Sequence, residues 1–241
     1  MTAATLIRPL LAAAALAAAT LASAASPPAP VAPFTATYEV RRNGDALGEA
    51  TLTLSKSGGD WTFSSETRGT AGLARIAGIR IDESSRFVYA AGRPETRAYD
   101  FRQGSSFNRR ERGAEVDPAA GVIRLRDRDT RTDAPYAAGV IDRQLVTVAL
   151  MQAAAAGRSG PQRFQVIGRR AVEAQVWRIG AREAVPGSPG AQGLRIERVR
   201  DTPDGRSTLM WLDAKAGHVP LRIVQQEDDG ETIEMRLLSR R

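Results

Sequence analysis

The chain has 241 residues, no cysteine, a single histidine and a formal charge of +7, with 34 Lys and Arg against 27 acids. Without cysteine there is no disulfide staple, no thiolate nucleophile and no cysteine-ligated metal, so the fold must rest on a hydrophobic core. Lys56 and Lys215 are the only lysines, so the basic excess is arginine, whose planar fork suits carboxylate and phosphate groups. The arginines interleave with acids, as solvated strand faces do, and no nucleic-acid-binding motif accompanies them.

Arg8 precedes an unbroken small and apolar run from Leu10 to Ala22, closed by Ala22-Ser23-Ala24. This is the pattern of a secretory signal peptide over residues 1–24. The run is shorter than the ~20 residues of a membrane-spanning helix. No lipoprotein cysteine stands at its end, so a free periplasmic protein without a lipid anchor is expected. Losing Arg8 leaves a mature charge of +6. Residues 25–33 are Pro-rich and read as a flexible lead-in. Residues 34–241 then read as one domain, a size that all-β domains often reach.

From Phe34 the pattern is period two. Phe34, Ala36, Tyr38 and Val40 alternate with polar residues, Asn43-Gly44 signals a hairpin, and Leu52 and Leu54 mark the return strand. Gly58-Gly59-Asp60 turns again into a strand led by Trp61 and Phe63. Alternation lapses over Arg68–Gly78, a Gly/Ala-rich stretch holding Leu73 and Ile76 and followed by Ile79. Strands are expected at Ile79–Ile81, Arg86–Ala90, Thr96–Arg102 and Val122–Leu125. The charged stretches Asn108–Arg112 and Arg124–Arg131 read as solvent-facing hairpin segments.

One helix is expected over Asp142–Ala156. Asp142 caps it, Leu145, Val146, Ala149, Leu150 and Ala153 share a face, and Gly157 ends it. Strands return at Arg163–Ile167, Val172–Ile179, Leu194–Val199, Thr208–Leu212, Val219–Gln225 and Thr232–Leu238. Pro203-Asp204-Gly205 and Asp229-Gly230 mark turns, and Pro186–Gly193 a longer loop.

Catalytic signals are sparse. His218, beside Val219-Pro220, lacks a nucleophile motif and reads as a turn residue. Asp127, Asp129 and Asp133 are interleaved with Arg126, Arg128 and Arg131, which would neutralise a calcium site. No cofactor or metal motif is present. Two converging acids could serve glycan hydrolysis, but nothing singles out a pair.

Several blocks in order resemble the exported DUF3108 family of Gram-negative bacteria. They are Tyr38-Glu39-Val40, Gly44, Leu47-Gly48-Glu49-Ala50 and Ile81-Asp82-Glu83-Ser84-Ser85-Arg86-Phe87. Asp142 and Leu145 follow, then Leu209-Met210-Trp211-Leu212-Asp213 and Val219-Pro220-Leu221-Arg222-Ile223. Arg143-Gln144 departs from the small residue and serine more frequent in that family. The resemblance implies an exported, β-rich protein and carries no catalytic residues.

The expected architecture is a large curved antiparallel sheet, an open barrel or half-barrel like those of lipoprotein carriers, with the central helix packed on its concave face. The leading functional expectation is a non-enzymatic envelope binder or carrier of a hydrophobic or amphipathic component. Phe63, Phe87, Phe101, Trp177 and Trp211 would line its cavity, and Leu73, Ile76 and Ile79 would form a mobile lid. The rivals are a protein-interaction or structural module of an envelope assembly and, behind both, a glycan hydrolase.

Overall fold

The computed structural model of the protein describes residues 29–105, 109–200 and 206–241. The leader, the start of the lead-in, Asn108 and the Pro203-Asp204-Gly205 turn lie outside the described residues. The elements are β1 (Phe34–Arg42), β2 (Asp45–Ser57), β3 (Asp60–Gly69), α1 (Gly72–Ile76), β4 (Arg80–Ala90), β5 (Arg93–Gly104), β6 (Arg109–Asp117), β7 (Val122–Asp127) and β8 (Thr130–Pro135). Then follow β9 (Ile141–Asp142), α2 (Leu145–Ala155), β10 (Gly160–Ile167), β11 (Val172–Ala184), β12 (Gln192–Val199), β13 (Ser207–Leu212), β14 (Pro220–Gln226) and β15 (Thr232–Arg240).

All fifteen strands form one curved sheet in the order β8-β7-β6-β5-β4-β3-β2-β1-β15-β14-β13-β12-β11-β10-β9. Two meanders are joined where the first strand meets the last. β1 and β15 pair antiparallel from Ala36↔Arg240 to Arg42↔Ile233. Every neighbouring pair is antiparallel except β9 and β10, which run parallel through Val166↔Ile141 and Ile167↔Asp142. The β1–β2 turn uses Asn43 and Gly44, both at positive φ (50° and 89°), as a two-residue hairpin with the sheet's own twist requires.

The alternation read from sequence sorts the two faces. Inward residues of β1–β4 and β10–β13 form one cluster with α2, including Tyr38, Leu52, Phe63, Phe87, Trp177, Ile196 and Leu212. A smaller cluster lies under β5–β8, where Tyr99, Phe101, Val116, Ile123 and Leu125 meet Val140 and Ile167. Buried Tyr38 donates its hydroxyl to the carbonyl of Pro220 (2.9 Å).

The helix differs from its expected setting. The sequence suggests one apolar face on a sheet, yet Leu145, Val146, Val148, Ala149, Leu150, Met151, Gln152 and Ala154 are all buried. They point around most of the helix circumference, so α2 occupies the inside of the curved sheet.

The lead-in is corrected in its described part. Gln152 donates its side-chain amide to the carbonyls of Ala29 (3.0 Å) and Gly92 (2.9 Å). The Val31 amide donates to the Tyr89 hydroxyl (3.1 Å), and the Val31 side chain is buried in the main core. Residues 29–33 therefore strap one end of the interior instead of trailing from it.

Candidate functional site

The sheet's two halves are stitched at one point. β6 pairs with β5 only from Ala98 onward, so the first residues of β5 have a free side. There the Thr96 amide donates to the carbonyl of Val140 (3.0 Å), and the Asp142 amide donates to Thr96 Oγ1 (2.8 Å). Since β9 also pairs with β10, this short segment bridges β10 to β5.

Asp142 is the centre of the stitch and is fully buried. Its Oδ1 accepts from the Ser85 hydroxyl (2.8 Å) and from the amides of Gln144 and Leu145 (3.0 Å each), which caps α2. Its Oδ2 accepts from the Thr96 hydroxyl (2.8 Å). Burial pushes the carboxyl up to about 6, against the hydrogen bonds from Leu145, Ser85 and Thr96 that favour its charged form. Gln144, at the position where the family resemblance expects a serine, sets its Oε1 3.2 Å from the Ser85 hydroxyl.

Beside this stitch, three arginines converge from separate elements. Arg143 lies two residues before α2, Arg112 lies on β6 and Arg169 sits in the β10–β11 turn. The Arg143 and Arg112 guanidiniums lie over the Phe101 ring, 4.7 and 5.7 Å from its centroid. Asp127 is shared, its Oδ1 meeting Arg112 (3.3 Å) and its Oδ2 meeting Arg169 (2.6 Å). Glu83 accepts from Arg143 (2.7 Å) and from the Tyr99 hydroxyl (2.6 Å). Burial lowers the pKa of Arg112, and repulsion by Arg169 and Arg143 lowers it further against the pull of Asp127. Three guanidiniums thus share two carboxylates in a partly desolvated corner.

The candidates named from sequence fall in different places. Phe63, Phe87 and Trp177 are core residues packed with α2, whereas Phe101 belongs to the smaller cluster beneath Arg143. Trp211 is corrected: it faces the convex side, between inward Met210 and Leu212. There its indole N–H donates to Glu183 (2.8 Å) and Arg222 lies over its ring. The expected lid is backbone-tied. The Gly69 amide donates to the carbonyl of Ile79, and the Ile79 amide to that of Ala74. A Cβ at Gly69 would sit 2.7 Å from the Ala74 carbonyl oxygen, so glycine there lets α1 lie against the sheet. Ile79 is half-buried, and the side chains of Leu73 and Ile76 lie outside the described residues. His218 occupies the β13–β14 turn at φ 58°, its pKa lowered by burial.

A shallow trough of about 260 Å³ on the β4–β8 side mixes Arg86, Arg124, Arg126 and Arg131 with Asp100, Glu115 and Asp133. Among the described residues, no cluster of three or more His, Asp or Glu could hold a metal ion, and no helix is long and apolar enough to cross a membrane.

The model of the family described as "Protein of unknown function (DUF3108)" matches residues 34–237. The chain belongs to the DUF3108 family. The match spans both meanders, the Asp142 stitch and all three arginines of the cluster. No curated protein matches this DUF3108 chain. Among solved structures it is similar to a β-barrel-like protein of the domain of unknown function DUF1849 from Brucella abortus. That likeness has a TM-score of 0.55 and 12% identity over 88% of this chain and 98% of the other. At that identity the likeness establishes the fold alone: a mainly β, barrel-like curved sheet.

Proposed function

We propose that this DUF3108 protein is a non-enzymatic binding module of the bacterial cell envelope, exported to the periplasm, that engages its partner at its surface. The carrying observation is the burial of α2 on the concave side. Leu145, Val146, Val148, Leu150 and Met151 of α2 are each no more than 2% exposed. At about 1.5–3 kcal/mol for each such side chain, moving α2 aside for an enclosed ligand costs on the order of 10 kcal/mol. That is comparable with the whole stability of a domain. This favours the interaction-module reading over a carrier with an internal cavity lined by Phe63, Phe87 and Trp177.

The leader-like residues 1–24 support export. A non-enzymatic role is supported by Asp142, the most perturbed acid of the stitch, whose two oxygens are spent on hydrogen bonds that hold β5, β9 and α2 together. Native mass spectrometry of the protein purified from its own periplasm tests the reading. The expected result is the mass of the bare mature chain, with crosslinking in cells recovering a surface-bound partner. A lipid retained at one copy per chain, and released only on unfolding, would overturn it.

A further inference from the structure

The arginine corner carries a more specific ligand chemistry. We propose that Arg112, Arg143 and Arg169 form a binding site for a phosphate-bearing group, supplied either by a lipid headgroup or by a small soluble phosphate ester. The inference deepens the surface-binding reading and rests on it, since the site opens at the rim and not in the core.

Three observations carry it. First, the guanidiniums come from β6, the entry to α2 and the β10–β11 turn, so no local pattern of strand solvation explains their meeting. Second, the corner is partly desolvated: the Arg112 side chain is 18% exposed and that of its partner Asp127 9%. Like charges gathered at such a place repel strongly unless an anion is shared among them. Third, among the described residues only two acids pair directly with the three guanidiniums, while the neighbouring Asp142 directs both oxygens to Ser85, Thr96 and the amides of Gln144 and Leu145. Asp127 spans Arg112 and Arg169 with one oxygen each, and Glu83 takes Arg143.

The geometry suits phosphate better than a second carboxylate. A carboxylate offers two oxygens, and Asp127 already fills that role between two of the arginines. A phosphate presents three or four oxygens and can address forks from three directions at once. Arg143 and Arg169 are the exposed arms, their side chains 38% and 63% accessible. Arg112 forms the floor.

The test is titration of the purified mature protein with inorganic phosphate at constant ionic strength, followed by NMR shifts and by melting temperature. Wild type is expected to bind and to melt higher with phosphate. Arg169→Ala, an exposed turn substitution, is expected to weaken binding about tenfold, the typical loss of a charge-assisted hydrogen bond. Asp127→Asn is expected to do the opposite. It removes the competing acid, so phosphate binds more tightly and raises the melting temperature more than in wild type. A merely structural ion pair would not produce that gain. Two further arms separate the sources. Flotation with phosphatidylglycerol vesicles that is lost in Arg169→Ala identifies a lipid headgroup, whereas binding of glycerol phosphate without vesicle binding identifies a soluble ester. No phosphate response in wild type, or identical responses in all three proteins, overturns the site. Neither result bears on whether lipid is enclosed, which native mass spectrometry reads separately.

Discussion

Asp142 is buried with its carboxyl raised to about 6, above the ordinary value of 3.8, and the sign of its titration follows. Between those values the folded state holds a proton that the unfolded state has released. Its contribution to stability is therefore fully present below about pH 4 and lost as pH rises to about 6. Two pKa units correspond to about 3 kcal/mol. Asp127, Asp213 and Glu234 are shifted downward and act oppositely, losing stability as pH falls. The clean readout is the difference between wild type and Asp142→Asn in urea titrations. The advantage of wild type over the variant should be about 3 kcal/mol larger at pH 4 than at pH 7, and a pH-independent difference would refute the assignment. Of this site only the cap is legible in sequence, because an Asp three residues before an apolar run is a local signal. Ser85 and Thr96 reach it from 57 and 46 residues away, and nothing beside either residue announces that. Of the arginine corner only Arg143 stands out in sequence, as a departure from the resembled family's small residue, while Arg112 and Arg169 look like every other arginine in the chain.

At the scale of elements, period-two alternation located most strands because each inward residue has a wet neighbour. The two expected strands Ile79–Ile81 and Arg86–Ala90 merge into a single strand, β4, which begins at Arg80, since polar Asp82 to Ser85 interrupt the apolar signal without interrupting the ladder. β9 is two residues long and exists only through its partners, so no pattern could reveal it. The helix was visible, but its surroundings were not. A one-face reading omits Val148 and Met151, both wholly buried, whose presence marks a helix enclosed on several sides. Leu150→Ala should therefore cost about 2–5 kcal/mol, as in a close-packed core, measured by urea unfolding. A loss below 1 kcal/mol would indicate free space around α2 and restore the carrier reading. The strap makes a milder prediction: Val31→Ala should lower stability by about 1 kcal/mol and speed amide exchange at the C-terminal end of α2.

For the whole molecule, the sequence conveys a β-rich class and one helix, but not strand order. Pairing of β1 with β15 joins residues about 200 positions apart, beyond the reach of any hairpin rule. The start of β1 and the end of β15 are brought together, since Thr35 and Arg241 exchange backbone hydrogen bonds of 2.9 and 3.0 Å. A circular permutant that links them by a short Gly/Ser segment and opens at Asp129, between β7 and β8, should keep its melting temperature within a few degrees. Deleting residues 232–241 instead removes β15, the partner through which the second meander pairs with β1, and should abolish cooperative unfolding.

The same β1–β15 pairing sets an order of events for a chain that is made from its N-terminal side onward. The strand that emerges first has to wait for the one that emerges last, and until then β1 presents an unpaired backbone edge along one side. Maturation thus cannot proceed segment by segment as the chain arrives. Folding from denaturant should accordingly be slow, on the millisecond-to-second scale typical of long-range β topologies. The interval before completion is when the nascent polypeptide is exposed to aggregation and to proteases, and when a holding chaperone would extend its lifetime.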